Sequence, residues 1–226
     1  MIAQVSKPKS LYVEGTNDEH AIGHLLIRRG FAPEGLPEFV DSRNKDGVLK
    51  AIRVAILAGT GKALGFVVDA DDDPVGTWTS VTQRLRSAGV EAPDHIPVGG
   101  FIGESQRFGA KVGVWVMPDN RQTGALEEFL RALIEEEDAL LPHAEQSTMT
   151  ARTLGARYSV KHTSKAVLHA WLAWQKQPGR PYGVAIQSHY FRGNSESAER
   201  FIAWFSEVFE VVPIETEKHS DAETQS

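Results

Sequence analysis

Apolar and polar positions along this chain follow two rhythms. Short apolar runs such as Leu11-Tyr12-Val13 and Phe66-Val67-Val68 end in acid or glycine. Between them lie longer segments in which apolar residues recur every three or four positions. Lys9 to Gly15 reads as a strand, and residues 17–30 as a helix with Ala21, Ile22, Leu25 and Leu26 on one face. Thr16 or Asn17 can cap that helix, acids fill its first turn, and Arg28, Arg29 and Gly30 close it. Residues 37–42 read as a second strand and 47–59 as an amphipathic helix. The run over 62–70 is unbroken enough for a strand buried on both faces, and 75–89 reads as the next helix. Two more strands are predicted over 96–102 and 111–118. A helix over 124–137 then places Leu126, Phe129, Leu130, Leu133 and Ile134 on one face. Past residue 160 the pattern is helical, over 161–177 and 195–210.

Strand–helix alternation of this kind predicts an α/β fold: a mostly parallel, Rossmann-like sheet flanked by helices, with a helical C-terminal segment. The expected organisation is one domain over 9–213, with a core over 9–140 and a basic helical part over 146–213. The polar residues 216–226 are expected to be disordered. Ligands of open α/β sheets bind beyond the carboxyl ends of the strands. Glu14 and the acids from Asp69 onward both fall at such ends.

Composition changes this picture little. The 226 residues can bury a substantial core, and 41% hydrophobic with 24% charged residues is ordinary for a globular chain. No run approaches a membrane span and residues 1–10 lack a signal-peptide pattern, so a cytoplasmic location is expected. Cysteine is absent, which excludes disulfides and thiolate metal sites. Charge is more informative. Residues 146–195 contain no Asp or Glu and carry +7, leaving −13 on the rest of a chain whose net charge is −6. A basic face of this kind can hold phosphates, or it can simply offset acidic helices elsewhere.

The stretch "DADDDP" puts Asp69, Asp71, Asp72 and Asp73 within five residues. At ~5 Å and an effective dielectric of ~20, each like-charged pair costs roughly 3 kcal/mol. Solvent in an acidic turn could offset that cost, and so could a divalent cation. In extended backbone Asp69 and Asp71 point the same way. Glu14 and Asp18 flank a glycine turn at the end of the first strand. Each motif taken singly reads as a helix cap or an Asp-rich turn. Side by side at two strand ends, they could supply the oxygen ligands that Mg²⁺ wants.

A strand ending in "VEG" with an acid in the next helix, and a later strand ending in "DxD", resembles the TOPRIM domain of topoisomerases, primases and OLD-type nucleases. The likeness covers roughly residues 9–140. "VWVMPDNRQTGALEEFL" and "SKAVLHAWLAWQKQPGRPYGVAI" extend a similarity to small bacterial TOPRIM-like proteins, some found near phage-defence systems, to about residue 209. The resemblance implies Glu14 as metal ligand or general acid–base, Asp69 and Asp71 as the paired metal-binding aspartates, and Asp18 as the extra acid of the OLD-type nucleases. It implies Glu127 and Lys165 as the later Glu and Lys of a site for one or two Mg²⁺ or Mn²⁺ ions. Lys161 is a substitute for the Lys. Asp73 and Asp119 are candidate outer groups, and Arg152, Arg157, Lys161 and His162 candidate phosphate contacts.

Other features carry less. "GTGKA" at 59–63 lacks the upstream glycine of a phosphate loop and has Ala63 where Ser or Thr should stand. Any ATPase would therefore be a partner chain. His20 and His24 have zinc-compatible spacing but read as a helix surface. Trp171 and Trp174 read as core. Phe201, Trp204, Phe205 and Phe209 form an apolar face for the core or a partner. The leading expectation is a metal-dependent nuclease acting on DNA or RNA. The alternatives are a non-catalytic metal-binding subunit working with a partner ATPase, and phosphotransfer or phosphatase chemistry on a nucleotide.

Overall fold

The computed structural model describes residues 8–214, so the expectation for 216–226 lies outside the described residues. The chain builds β1 (Lys9–Val13), α1 (Thr16–Arg28), β2 (Glu38–Asp41), α2 (Lys45–Ala58), β3 (Ala63–Asp69) and α3 (Pro74–Ser87) in strict alternation. β4 (Phe101–Glu104) and β5 (Lys111–Met117) complete a five-stranded sheet in the order β2-β1-β3-β5-β4. All neighbours are parallel except β4, which runs antiparallel along the edge of β5. The expected α/β fold on a mostly parallel sheet is the observed one. Among the described residues, no helix is long and apolar enough to cross a membrane.

Period-two alternation explains the layers. On β3, Val67 joins a core beneath one face while Phe66 and Val68 join a second core beneath the other. Trp115 and its neighbours Val114 and Val116 divide in the same way. The second face is covered by α2 and α3. The first is covered by α1 and by the later helices α4 (Leu126–Arg131), α5 (Leu140–Thr153), α6 (Thr163–Ala173), α7 (Tyr182–Gln187) and α8 (Glu196–Phe209). Phe201, Trp204, Phe205 and Phe209 are all buried in that first core, so the aromatic face of α8 packs the sheet. It seats there because Gly65 and Gly113 are paired across β3 and β5. A Cβ at Gly65 would stand 2.7 Å from the Phe209 ring, and one at Gly113 would stand 2.3 Å from Val208.

Several boundaries differ from the periodicity. The strand predicted over 96–102 begins only at Phe101 and continues to Glu104. Pro97 cannot donate to a ladder, and Gly100 turns the chain at φ 83. The helix predicted over 124–137 stops at Arg131. The acids Glu135 to Glu137 that follow oppose the dipole at a helix C-terminus. α5 is a helix that periodicity does not announce, since it buries only Ala144 and Thr148. The helix predicted over 161–177 is a 3-10 turn at Val160–His162 followed by α6, with α7 as a separate short helix. Trp171 is buried as predicted, but Trp174 is exposed, against the ring of His143 at 4.9 Å.

Candidate functional site

The strand order creates the site. β1 is followed by α1 on one face of the sheet, whereas β2, its neighbour on the outer side, is followed by α2 on the other face. The chain then returns to β3 on the inner side of β1. That reversal opens a crevice beyond the carboxyl ends of β1 and β3, the switch point at which open α/β sheets bind ligands. A cavity of about 460 Å³ lies there.

Five of the acids and bases singled out from the sequence line this one cavity: Glu14, Asp18, Asp69, Glu127 and Lys165. Glu14 follows β1, and its Oε1 accepts the backbone N–H of Asp69 at 2.8 Å, tying the two strand ends together. Asp18 lies in the first turn of α1, 8% exposed. Glu127 arrives by a longer route. Asp71 and Gly124 form an antiparallel bridge through N–H to O contacts of 2.9 and 2.7 Å. The bridge pins the start of α4 beside the end of β3, and Glu127 is the second residue of that helix, 9% exposed. Its Oε1 lies 3.2 Å from Lys165 Nζ and accepts from the Tyr182 hydroxyl at 3.4 Å.

The electrostatics follow from this crowding. Burial, then the charges of Glu14 and Asp18, push the Asp69 carboxyl up to about 9. Burial also raises Glu14, against the stabilising N–H of Asp69. The two interact strongly, so the extra proton belongs to the pair. Burial and the charge of Glu14 push Asp18 up to about 7. One oxygen of Asp69, Oδ1, is buried with no hydrogen-bond partner. Burying a carboxylate oxygen without a partner costs about 1–3 kcal/mol or more. Four buried or half-buried acids around one cavity, with an unmatched oxygen, are donors of the kind a hard, oxygen-loving cation takes. Among the described residues, however, no three acid or imidazole side chains are already drawn together closely enough to hold an ion.

The remaining sequence candidates are placed differently. The four aspartates of "DADDDP" fan out to separate tasks. Asp69 enters the cavity. Asp71, in the left-handed region at φ 53, turns outward to Lys45 at 2.8 Å. Its charge still raises Glu14 and Asp69. Asp72 is exposed. Asp73 caps α3 by accepting the Gly76 N–H at 2.8 Å. Asp119 builds the turn after β5, accepting from the backbone N–H groups of Arg121 at 3.1 Å and Gln122 at 2.8 Å. It borders a separate cavity with Glu128 and Arg131. Arg152, Arg157, Lys161 and His162 are exposed and do not line the acidic cavity. Arg152 lies over the Tyr158 ring and His162 contacts Ser159. "GTGKA" joins a helix to a strand, the reverse of the strand–loop–helix order of a phosphate loop.

Three contributors escaped the sequence reading. Tyr182 orients Glu127 and stacks on His169 with ring centres 5.2 Å apart. Burial and Glu127 raise the Tyr182 phenol well above its usual value, so it is a donor throughout the working pH range. Its only sequence signal is its position after Pro181. Arg43 and Asn44, in the turn between β2 and α2, also line the cavity.

Residues 8–210 match the family model described as a protein of unknown function (DUF3226), and the chain belongs to that family. No curated protein and no solved structure matches it.

Proposed function

We propose that this chain is a divalent-metal-dependent phosphodiesterase acting on nucleic acid, a nuclease of TOPRIM type. The observation that carries the reading is the convergence of Glu14, Asp18, Asp69 and Glu127 on one cavity with Lys165 beside them. The residues fit a cation chemically: all four are oxygen donors, three are held above the usual carboxylate range, and one oxygen has no partner. Those four acids would hold Mg²⁺ or Mn²⁺, and Asp71 would join only by giving up Lys45.

A bound divalent ion supplies Lewis acidity, lowering the pKa of a water and offsetting charge on a phosphate. The chain's own groups do the rest. Glu14 is fixed by the Asp69 N–H, so its free oxygen has a defined direction. Lys165, with a side chain 45% exposed, can leave Glu127 to neutralise charge building on the phosphate. Tyr182 keeps Glu127 oriented when Lys165 leaves.

The second reading is a metal-binding subunit that works with a partner ATPase. It is favoured by the absence of a closed ligand set among the described residues, since a partner could complete the closure. Nuclease function in phage defence or DNA processing belongs to the first reading. The test is cleavage of supercoiled plasmid and of labelled single-stranded DNA and RNA with Mg²⁺, Mn²⁺ or EDTA. Metal-dependent cutting that disappears in Asp69→Asn supports a nuclease. A folded protein that binds metal and cuts nothing supports the subunit.

A further inference from the structure

Around the acidic floor, the rim of the cavity is made of different residue types. Thr16, Asn17, Arg43, Asn44 and Lys165 are all exposed. They are a hydroxyl, two amides, a guanidinium and an ammonium, the groups that bind sugar and phosphate oxygens. Leu126 is the one hydrocarbon side chain in the lining, and no aromatic ring is there. Sequence-independent strand binders usually stack bases on aromatic rings. This rim offers no such platform.

Arg43 stands out among these residues. Its backbone is left-handed at φ 71, a conformation that only a few per cent of non-glycine residues adopt. The turn imposes it from both sides. Asp41 Oδ1 accepts the Arg43 N–H at 2.7 Å, while Asp41 Oδ2 accepts the Thr16 hydroxyl at 3.1 Å. Asn44 then caps α2 through the Gly47 N–H at 2.9 Å. Gly47 admits the close return of the chain, since a Cβ there would fall 1.9 Å from the Ser42 carbonyl oxygen. Lys45, two residues after Arg43, is paired with Asp71, and Lys165 rests on Glu127. The Arg43 guanidinium has no ion pair or hydrogen bond among the described residues. A planar fork left free beside a phosphate-sized cavity suits a phosphate better than an ammonium does.

Resting on the phosphodiesterase reading, we infer that Arg43 takes a backbone phosphate next to the one at the acidic floor. The substrate is then a polynucleotide strand gripped through its sugar–phosphate backbone, with no base read. A nucleoside monophosphate has no second phosphate to offer.

The test is binding of fluorescein-labelled single-stranded oligonucleotides by anisotropy in Ca²⁺, across a salt series, with wild type, Arg43→Ala, Arg43→Gly and Arg43→Lys. One phosphate contact on a single strand contributes about 0.7 to the slope of log K against log salt. The expected result is that Ala and Gly variants each lose roughly tenfold in affinity and about 0.7 in slope, while Lys keeps the slope and recovers part of the affinity. Glycine relieves the left-handed backbone, so a loss shared by both variants is not a folding defect. Oligo-dT, oligo-dA and mixed sequences should bind wild type alike. An unchanged slope in both variants, strong base preference, or no binding by wild type overturns the inference. Binding with the expected slope but no cleavage in Mg²⁺ or Mn²⁺ leaves Arg43 as a phosphate site and removes the nuclease.

Discussion

The two ends of the sheet carry opposite charges and treat them in opposite ways. At the amino ends of the strands, Lys9, Lys62 and Lys111 meet the C-terminus of α8. Lys9 donates to the Phe209 carbonyl, Lys111 to the Glu207 carbonyl at 3.1 Å, and Lys111 and Lys62 flank Glu210 at 2.9 and 3.2 Å. Hydrogen bonds from those two lysines hold Glu210 down to about 2. At the carboxyl ends, Glu127 alone among Glu14, Asp18, Asp69 and Glu127 has an ion pair among the described residues, with Lys165, and the Asp69 carboxyl is driven up rather than down. Each of the three lysines has a hydrogen-bonding or ionic partner at one end, whereas at the other the crowded acids are pushed toward their protonated forms. The amino end closes the fold, whereas the carboxyl end leaves acids without ionic partners, which the proposed function assigns to a cation. The same contrast separates stability from function in other parallel α/β architectures.

The sharpest way to break the comparison is Asp69→Asn. It keeps the shape of the side chain and removes the central carboxyl of the acidic end. Cleavage should fall by at least about a thousandfold, while metal-free stability at pH 8 rises by about 1–3 kcal/mol because the folded state no longer has to hold a proton that the unfolded chain has shed. Chemical denaturation in EDTA beside the plasmid assay checks both. Lys165→Ala should come next, lowering turnover by about a hundredfold with metal affinity changed far less. An unfolded Lys165→Ala protein would make that lysine structural.

The pH response of metal-free protein follows from the same asymmetry. The folded state keeps a proton on the Glu14–Asp69 pair that the unfolded chain sheds near pH 4. Stability contributed by this end is therefore greatest at low pH. It is lost as pH rises toward 9, with Asp18 adding its share below about 7. Melting temperatures in EDTA from pH 5 to 9 should decline, more shallowly in Asp69→Asn. Saturating Mn²⁺ should lift the high-pH values, by about 2.7 kcal/mol at one hundred times Kd. Glu210→Gln is the mildest change. Its pKa is depressed, so its contribution is present at neutral pH and lost as pH falls from about 4 toward 2. The variant should melt slightly earlier at pH 7, converge with wild type at pH 2, and leave metal binding untouched.

What could be read from the sequence follows burial. β3 and β5 are hydrophobic on both faces and were legible as runs, with Glu14 and Asp69 legible as the acids that end such runs. α5 was not, because a helix resting on two small residues has no apolar stripe to display. Glu127 and Lys165 were reachable only through family resemblance. Their route to the cavity depends on the Asp71–Gly124 bridge and on helix packing across the first core. Charge counting drew attention to Arg152, Arg157 and Lys161, yet Arg43 is the arginine that borders the cavity. Its placement depends on a left-handed turn that nothing in an arginine announces.

The measurement closest to the central claim is calorimetric titration of Mn²⁺ into metal-free protein at pH 7.5, in two buffers of different ionisation heat. If the carboxyl end of the sheet holds protonated acids awaiting a cation, binding should release about one proton per site, and Asp69→Asn should abolish both the heat and the release. No binding by a folded wild type, or binding without proton release that survives in Asp69→Asn, would contradict the account.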